Sequence, residues 1–159
     1  MSIPVKNTTM SERSAARMAA IQALYQMDIA GTGLLQIIAE YETFWIGREV
    51  DGVHFQPADR TFFKDVLKGV VREQRAIDPI INSSLTPNWP LTRIMPVLRS
   101  ILRAGVYELT KRKDVPVRVI LSEYVDIARS YYDDDEPGLV NAVLDKVARS
   151  IREEELNKQ

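Results

Sequence analysis

The sequence predicts an all-α protein, and three observations carry that reading. Apolar residues recur at i, i+3, i+4, i+7 spacing over several long windows, the period of a helix with one buried face. Only seven glycines punctuate 159 residues. Val-Ile-Thr alternation is sparse, and no Asn-Gly or Asp-Gly is read as joining two alternating strands. A chain of this length can close one continuous core, so a single domain over residues 1–159 is expected, with loose tails at 1–10 and 153–159.

The elements follow in order. Ser11 reads as the cap of a first helix, with Glu12 in its first turn and a run of good helix formers from Arg13 to Leu24. Ala20, Leu24 and Met27 mark its buried stripe. Arg13 and Arg17, four apart, share a face with Ser14 and Ile21 at its margin; the plain reading is a solvated basic edge, the sharper one a phosphate contact. Gly31-Thr32-Gly33 stops this helix, and a second runs from Leu34 to about Ile46. Residues 47–57 read as a loop, and the lone His54 in it lies far from any partner pattern, so it carries no role.

A third helix spans Ala58 to Ala76, with Asp59 in its first turn and Phe63, Val66, Leu67, Val70 and Ile77 on one side; Pro79 ends or kinks it. The Pro87, Pro90 and Pro96 region is a connector, with Trp89 plugging the core. Pro96 then opens a helix whose stripe is Leu98, Ile101, Leu102, Gly105 and Leu109. A glycine inside a helix costs about 1 kcal/mol relative to alanine, so Gly105 marks the close approach of another helix. Residues 116–151 form two amphipathic helices. One buries Val117, Ile120, Leu121, Tyr124, Ile127, Ala128 and Tyr131; the other buries Val140, Val143, Leu144, Val147 and Ile151. Between them, Asp133 to Glu136 places negative charge before a helix start, a capping and dipole role, with Pro137 in the first turn.

Composition excludes several classes. The net charge is −1, so any charged site is local. Six basic and two acidic residues lie between Arg99 and Arg118, while six acids face one base from Val119 to Glu136. This segregation can steer a partner, although Lys111, Arg112 and Lys113 also complement a helix C-terminus. There is no cysteine, which removes disulfides, thiolate catalysis and cysteine-ligated metal and fits a reducing cytosol. The N-terminal stretch reads as neither signal peptide nor membrane anchor. No Walker A, GxGxxG, GxSxG or HExxH pattern occurs, and Asp133 to Glu136 lacks the spacing of a calcium loop. No enzyme, cofactor or metal is expected.

Three motifs point to a family. ARMAAIQALYQMD from Ala16 to Asp28, VLRSILRAGVYEL followed by DVP, and VNAVLDKVA from Val140 resemble, in order and spacing, the signatures of the NusB family of bacterial transcription antitermination factors. The match runs from about Arg13 to Ile151. The resemblance implies an all-helical fold of about seven helices in two packed three-helix sub-bundles without a catalytic site. It further implies binding of the boxA element of nascent ribosomal RNA together with ribosomal protein NusE, within an RNA polymerase antitermination complex in the cytoplasm.

Carried over by position, the resemblance gives Arg13, Arg17, Gln22, Arg129, Tyr131 and Leu139 as RNA-binding residues and Tyr25 as the partner contact. Phosphate-binding cations beside stacking rings are the chemistry of single-strand readers. The chain departs from the family where Gly138-Leu139 stands for a common Lys-Phe pair and where Ala142 follows Val140-Asn141. Self-association as a homodimer is also compatible with an exposed apolar face. A helical protein–protein adaptor without specific RNA binding, and the RNA-recruiting domain of a ribosomal RNA methyltransferase, are the competing readings.

Overall fold

The computed structural model describes residues 11–45, 49–50, 53–54, 58–85 and 94–157. Among these are seven α-helices: α1 Glu12–Ala30, α2 Leu34–Glu40, α3 Arg60–Ser84, α4 Pro96–Lys111, α5 Val117–Tyr131, α6 Glu136–Ile151 and α7 Glu153–Asn157. The chain divides into two compact units, Met1–Asp65 and Val66–Gln159, with the boundary inside α3.

In the first unit the expected caps form. Ser11 Oγ accepts the Ser14 N–H at 3.0 Å, and Gly31, at φ 70°, sends its N–H to Met27 O at 2.9 Å, the left-handed C-terminal turn that glycine adopts without strain. The buried stripe of α1 is Ala16, Ala20, Ile21, Ala23 and Leu24; Met27 is only half-buried. α2 is shorter than expected and passes into a π turn over Tyr41–Trp45, which seats the Tyr41 ring on Phe63, centroids 5.5 Å apart. Asp59 is a cap, not a first-turn residue: its Oδ1 accepts the Phe62 N–H at 2.9 Å.

The expected loop at 47–57 carries a small antiparallel ladder, β1 Glu49–Val50 with β2 Val53–His54. The two strands flank Asp51-Gly52 in the sequence, a two-residue hairpin signal that the loop reading passed over. Ile46 and Trp89 lie outside the described residues.

The second unit is built on α4, α5 and α6, which pack mutually. α3 runs through Pro79 without ending there. The proline forfeits one backbone bond, but Ile77 and Ile81 on either side of it are buried, and Asp78 takes two hydrogen bonds from Arg103, at 2.9 and 3.0 Å. A clamp of this kind outweighs the local helix-breaking tendency. Ser83 and Ser84 hydroxyls donate to the carbonyls of Pro79 and Ile80.

Gly105 does mark a close approach: a β-carbon there would sit 2.8 Å from a Leu144 methyl. Gly69 is tighter still, since its β-carbon would lie 2.2 Å from the Tyr107 ring. Gly69→Ala is therefore expected to lower stability by about 1–3 kcal/mol by overpacking, despite the better helix propensity of alanine. Gly138→Ala, where no atom lies within 4 Å, is the control, expected to be neutral or slightly stabilising in the same urea denaturation series.

Three further expectations change. The turn before α6 has no side-chain cap bond at Asp135, so the acidic run acts there through the dipole alone. Tyr131 is 40% exposed rather than a core ring. The segment after Ile151 is not frayed: Arg152 is buried, and α7 brings Glu155 Oε2 to the Val117 N–H at 2.8 Å, capping α5 from a distant part of the chain. That bond, with help from Arg152 and Lys113, holds the Glu155 carboxyl below the ordinary carboxylate range.

The Arg152 guanidinium is the centre of this end of the unit. Nε donates to Leu109 O, Nη1 to Val115 O and Glu155 Oε1, and Nη2 to Glu108 O and Arg112 O, all at 2.6–3.0 Å. All five donors of the fork are used. They gather carbonyls at the negative end of the α4 dipole, where a cation is favoured. The Glu108 side chain, also fully buried, accepts the Tyr124 hydroxyl at 2.5 Å.

Candidate functional site

The first unit carries two neighbouring features on α1. Arg13 and Arg17 do share a face, and both guanidiniums lie over the Phe62 ring, at 4.6 and 4.8 Å from its centroid. They are not one solvated edge, however. Arg17 is 2% exposed, whereas Arg13 leaves 45% of its side chain in solvent, 3.8 Å from Asp59. A ring under a guanidinium restrains it without neutralising it, so Arg13 is an oriented cation that an incoming anion can reach. Arg17 is buried against the same ring.

One to three turns further along α1 the surface becomes apolar. Gln22, Tyr25, Gln26, Ile29, Ala30 and Tyr41 line an open groove of about 370 Å³. Tyr25 and Ile29 are 38% and 60% exposed on it, and Gln26 Nε2 donates to Glu40 Oε2 at 3.3 Å. Gln22, given by the resemblance as an RNA-binding residue, is exposed and lines this groove with Tyr25. Ile29, Gln26 and Tyr41 were not singled out from the sequence. An exposed isoleucine two residues before a helix-ending glycine was the available signal, because a stripe built only for the core would have stopped earlier.

The second unit places Arg129, Tyr131 and Leu139 about one turn, the one joining α5 to α6. Arg129 pairs with Asp126 at 3.0 Å, both side chains more than 60% exposed. Such a surface pair is worth under about 1 kcal/mol and exchanges readily for another anion. Leu139 is half-buried, Asn141 exposed. Tyr132, not anticipated, ends α5 and sets its ring 6.4 Å from that of Tyr131. Among the described residues no group of three or more His, Cys, Asp or Glu is placed to hold a metal ion, and no helix is long and apolar enough to cross a membrane.

Comparison with known proteins bears on the fold and the family. The NusB family model matches residues 14–149. A transcription antitermination protein NusB of Mesorhizobium japonicum is 60% identical over 144 residues, covering 91% of this chain and 93% of its own. Among solved structures, a NusB of T. maritima superposes with a TM-score of 0.74 at 26% identity, over 99% of both chains. A complex of antitermination factors NusB and NusE with double-stranded RNA contains a chain matching at TM-score 0.69 and 25% identity, over 89% of this chain and 99% of that one. The all-helical architecture, the three motifs and the match over most of the sequence converge, and the chain belongs to the NusB family.

Proposed function

We propose that the protein is a non-enzymatic antitermination factor that binds boxA RNA of nascent ribosomal RNA transcripts jointly with ribosomal protein NusE, in an RNA polymerase antitermination complex. The observation that carries this reading is the division of labour along α1. Its start presents a ring-supported cation, Arg13, and its end an exposed apolar groove at Tyr25 and Ile29. The first suits a phosphate backbone, the second a protein. A solved relative of similar fold is seen with both NusE and RNA. Arg129 and Tyr131 add a second cation and ring at the α5–α6 turn.

Titration of boxA RNA with and without NusE at two salt concentrations tests the proposal. Affinity is expected to fall with salt. Arg13→Ala is expected to weaken binding at low salt and to reduce the slope of log K against log salt by about 0.7, the single-strand value for one lost phosphate contact. Equal affinity for boxA and a scrambled RNA, in the presence of NusE, would instead support a protein–protein adaptor.

A further inference from the structure

Between Lys68 and Pro79 the exposed residues of α3 are Lys68, Val71, Arg72, Arg75, Ala76 and Pro79, the spacing of one helix face. Every charge on it is positive. The acids of the same span lie on the flanks, half-buried and already engaged: Glu73 Oε2 accepts Arg72 Nε at 3.0 Å, Glu73 Oε1 lies 3.9 Å from Lys111 Nζ, and Asp78 is held by Arg103. Lys68 and Arg75 have no such partner among the described residues. Arg72, with 60% of its side chain in solvent, is steadied from a second side by the Tyr107 hydroxyl, and that ring fills the space a side chain at Gly69 would need. The three cations advance along the helix axis by about 6 Å and then about 4.5 Å.

What this face lacks decides its ligand. Protein interfaces draw most of their affinity from aromatic rings and arginines buried in central pockets, and the apolar residues here are Val71, Ala76 and Pro79, none of them such an anchor. Single-strand readers stack bases on rings, and the one ring beside this face, Tyr107, is 2% exposed. Exposed cations suffice for a sugar–phosphate backbone, which carries no sequence information of its own. We infer that the α3 face from Lys68 to Arg75 binds the phosphate backbone of RNA outside the boxA element, lengthening the RNA footprint without reading its sequence. This rests on the RNA-binding reading above and adds to it a second site, one that contributes affinity and salt dependence but no base preference.

The test is a fluorescence anisotropy titration of the whole protein, with NusE, against boxA RNA alone and boxA RNA carrying a uridine tract at each end. Three added phosphate contacts steepen the slope of log K against log salt by about 2, so the advantage of the longer RNA is expected to shrink roughly twentyfold between about 50 and 200 mM salt. The triple variant Lys68→Gln, Arg72→Gln, Arg75→Gln is expected to abolish that advantage at low salt and to bind the short RNA as the parent does. Because Arg72 also touches Tyr107, the double variant Lys68→Gln, Arg75→Gln, at two exposed positions without partners, guards against a folding defect; its extra slope is expected to fall to about 0.7. Arg75→Lys is expected to keep the advantage, since a point charge serves a phosphate. The inference is overturned if the parent binds both RNAs equally at low salt, if the advantage is undiminished in either multiple variant, or if those variants weaken both RNAs by the same factor; an undiminished advantage would leave the face to an acidic protein partner. Parent protein that binds neither RNA refutes the wider function as well; a short RNA bound without any gain from the tracts refutes only this inference.

Discussion

Arg152→Ala is expected to destabilise the protein by about 3–5 kcal/mol, the cost of removing a buried charge from partners that water replaces only in part. The side chain is 4% exposed, and its loss takes a donor from the carbonyls of Leu109 and Val115 and from Glu155 Oε1, while Glu108 O and Arg112 O lose one donor each and keep the backbone bonds from the Arg112 and Val115 N–H groups. Each buried acceptor left without a donor costs about 1–3 kcal/mol, softened here by water entering the end of the unit. Against a total stability of about 5–15 kcal/mol, the change is large. Arg152→Lys is expected to recover only part of it, because an ammonium has three donors at a point and cannot span this planar fork. Urea denaturation followed by circular dichroism measures both. A loss below about 1 kcal/mol for the alanine variant would show that water replaces the guanidinium at little cost.

Arg17→Glu is the second large effect, and its physical origin differs. The position lies against Phe62 and is 2% exposed, so glutamate would place an anion over the negative face of a ring in a desolvated site. A loss of about 3 kcal/mol or more is expected. Arg13→Glu, four residues earlier and half in solvent, is expected to stay within about 1 kcal/mol of the parent in stability. Thermal melts of the two variants make the comparison, and equal melting temperatures would contradict the burial of Arg17. Weaker RNA binding by an Arg17 variant then reports a disturbed fold, so Arg13 is the position at which a phosphate contact is cleanly tested.

What could be read from the sequence was local in origin. Helical periodicity, the Ser11 cap, the Gly31 stop, Pro96 at a helix start and the tolerance of Gly105 depend on residues within a turn or two, or on a stripe whose burial any partner helix satisfies. What escaped depends on residues far apart. Arg152 meets carbonyls 37 to 44 positions earlier, and nothing near Ile151 announces them. Pro79 reads as an end or a kink because its clamp, Asp78 to Arg103, spans 25 positions. Arg17 was indistinguishable from Arg13 until Phe62 placed one guanidinium inside and the other at the rim. The groove was half legible: Tyr25 stood out through resemblance, but Tyr41 reaches it only through the π turn, which no periodic pattern encodes.

Phe62 and Phe63 occupy successive positions of α3, yet one ring meets the guanidiniums of α1 and the other carries Tyr41, which lines the groove. A single peptide unit thus joins the packing beneath the apolar groove to the packing beneath the cations. Thermodynamic reciprocity gives this a definite form: if a protein docked on Tyr41 alters how tightly an anion is held at Arg13, the anion alters the docking affinity by the same factor. The coupling free energy is one number, obtainable from either side of the cycle, and Phe62 and Phe63 are the residues whose truncation would change it.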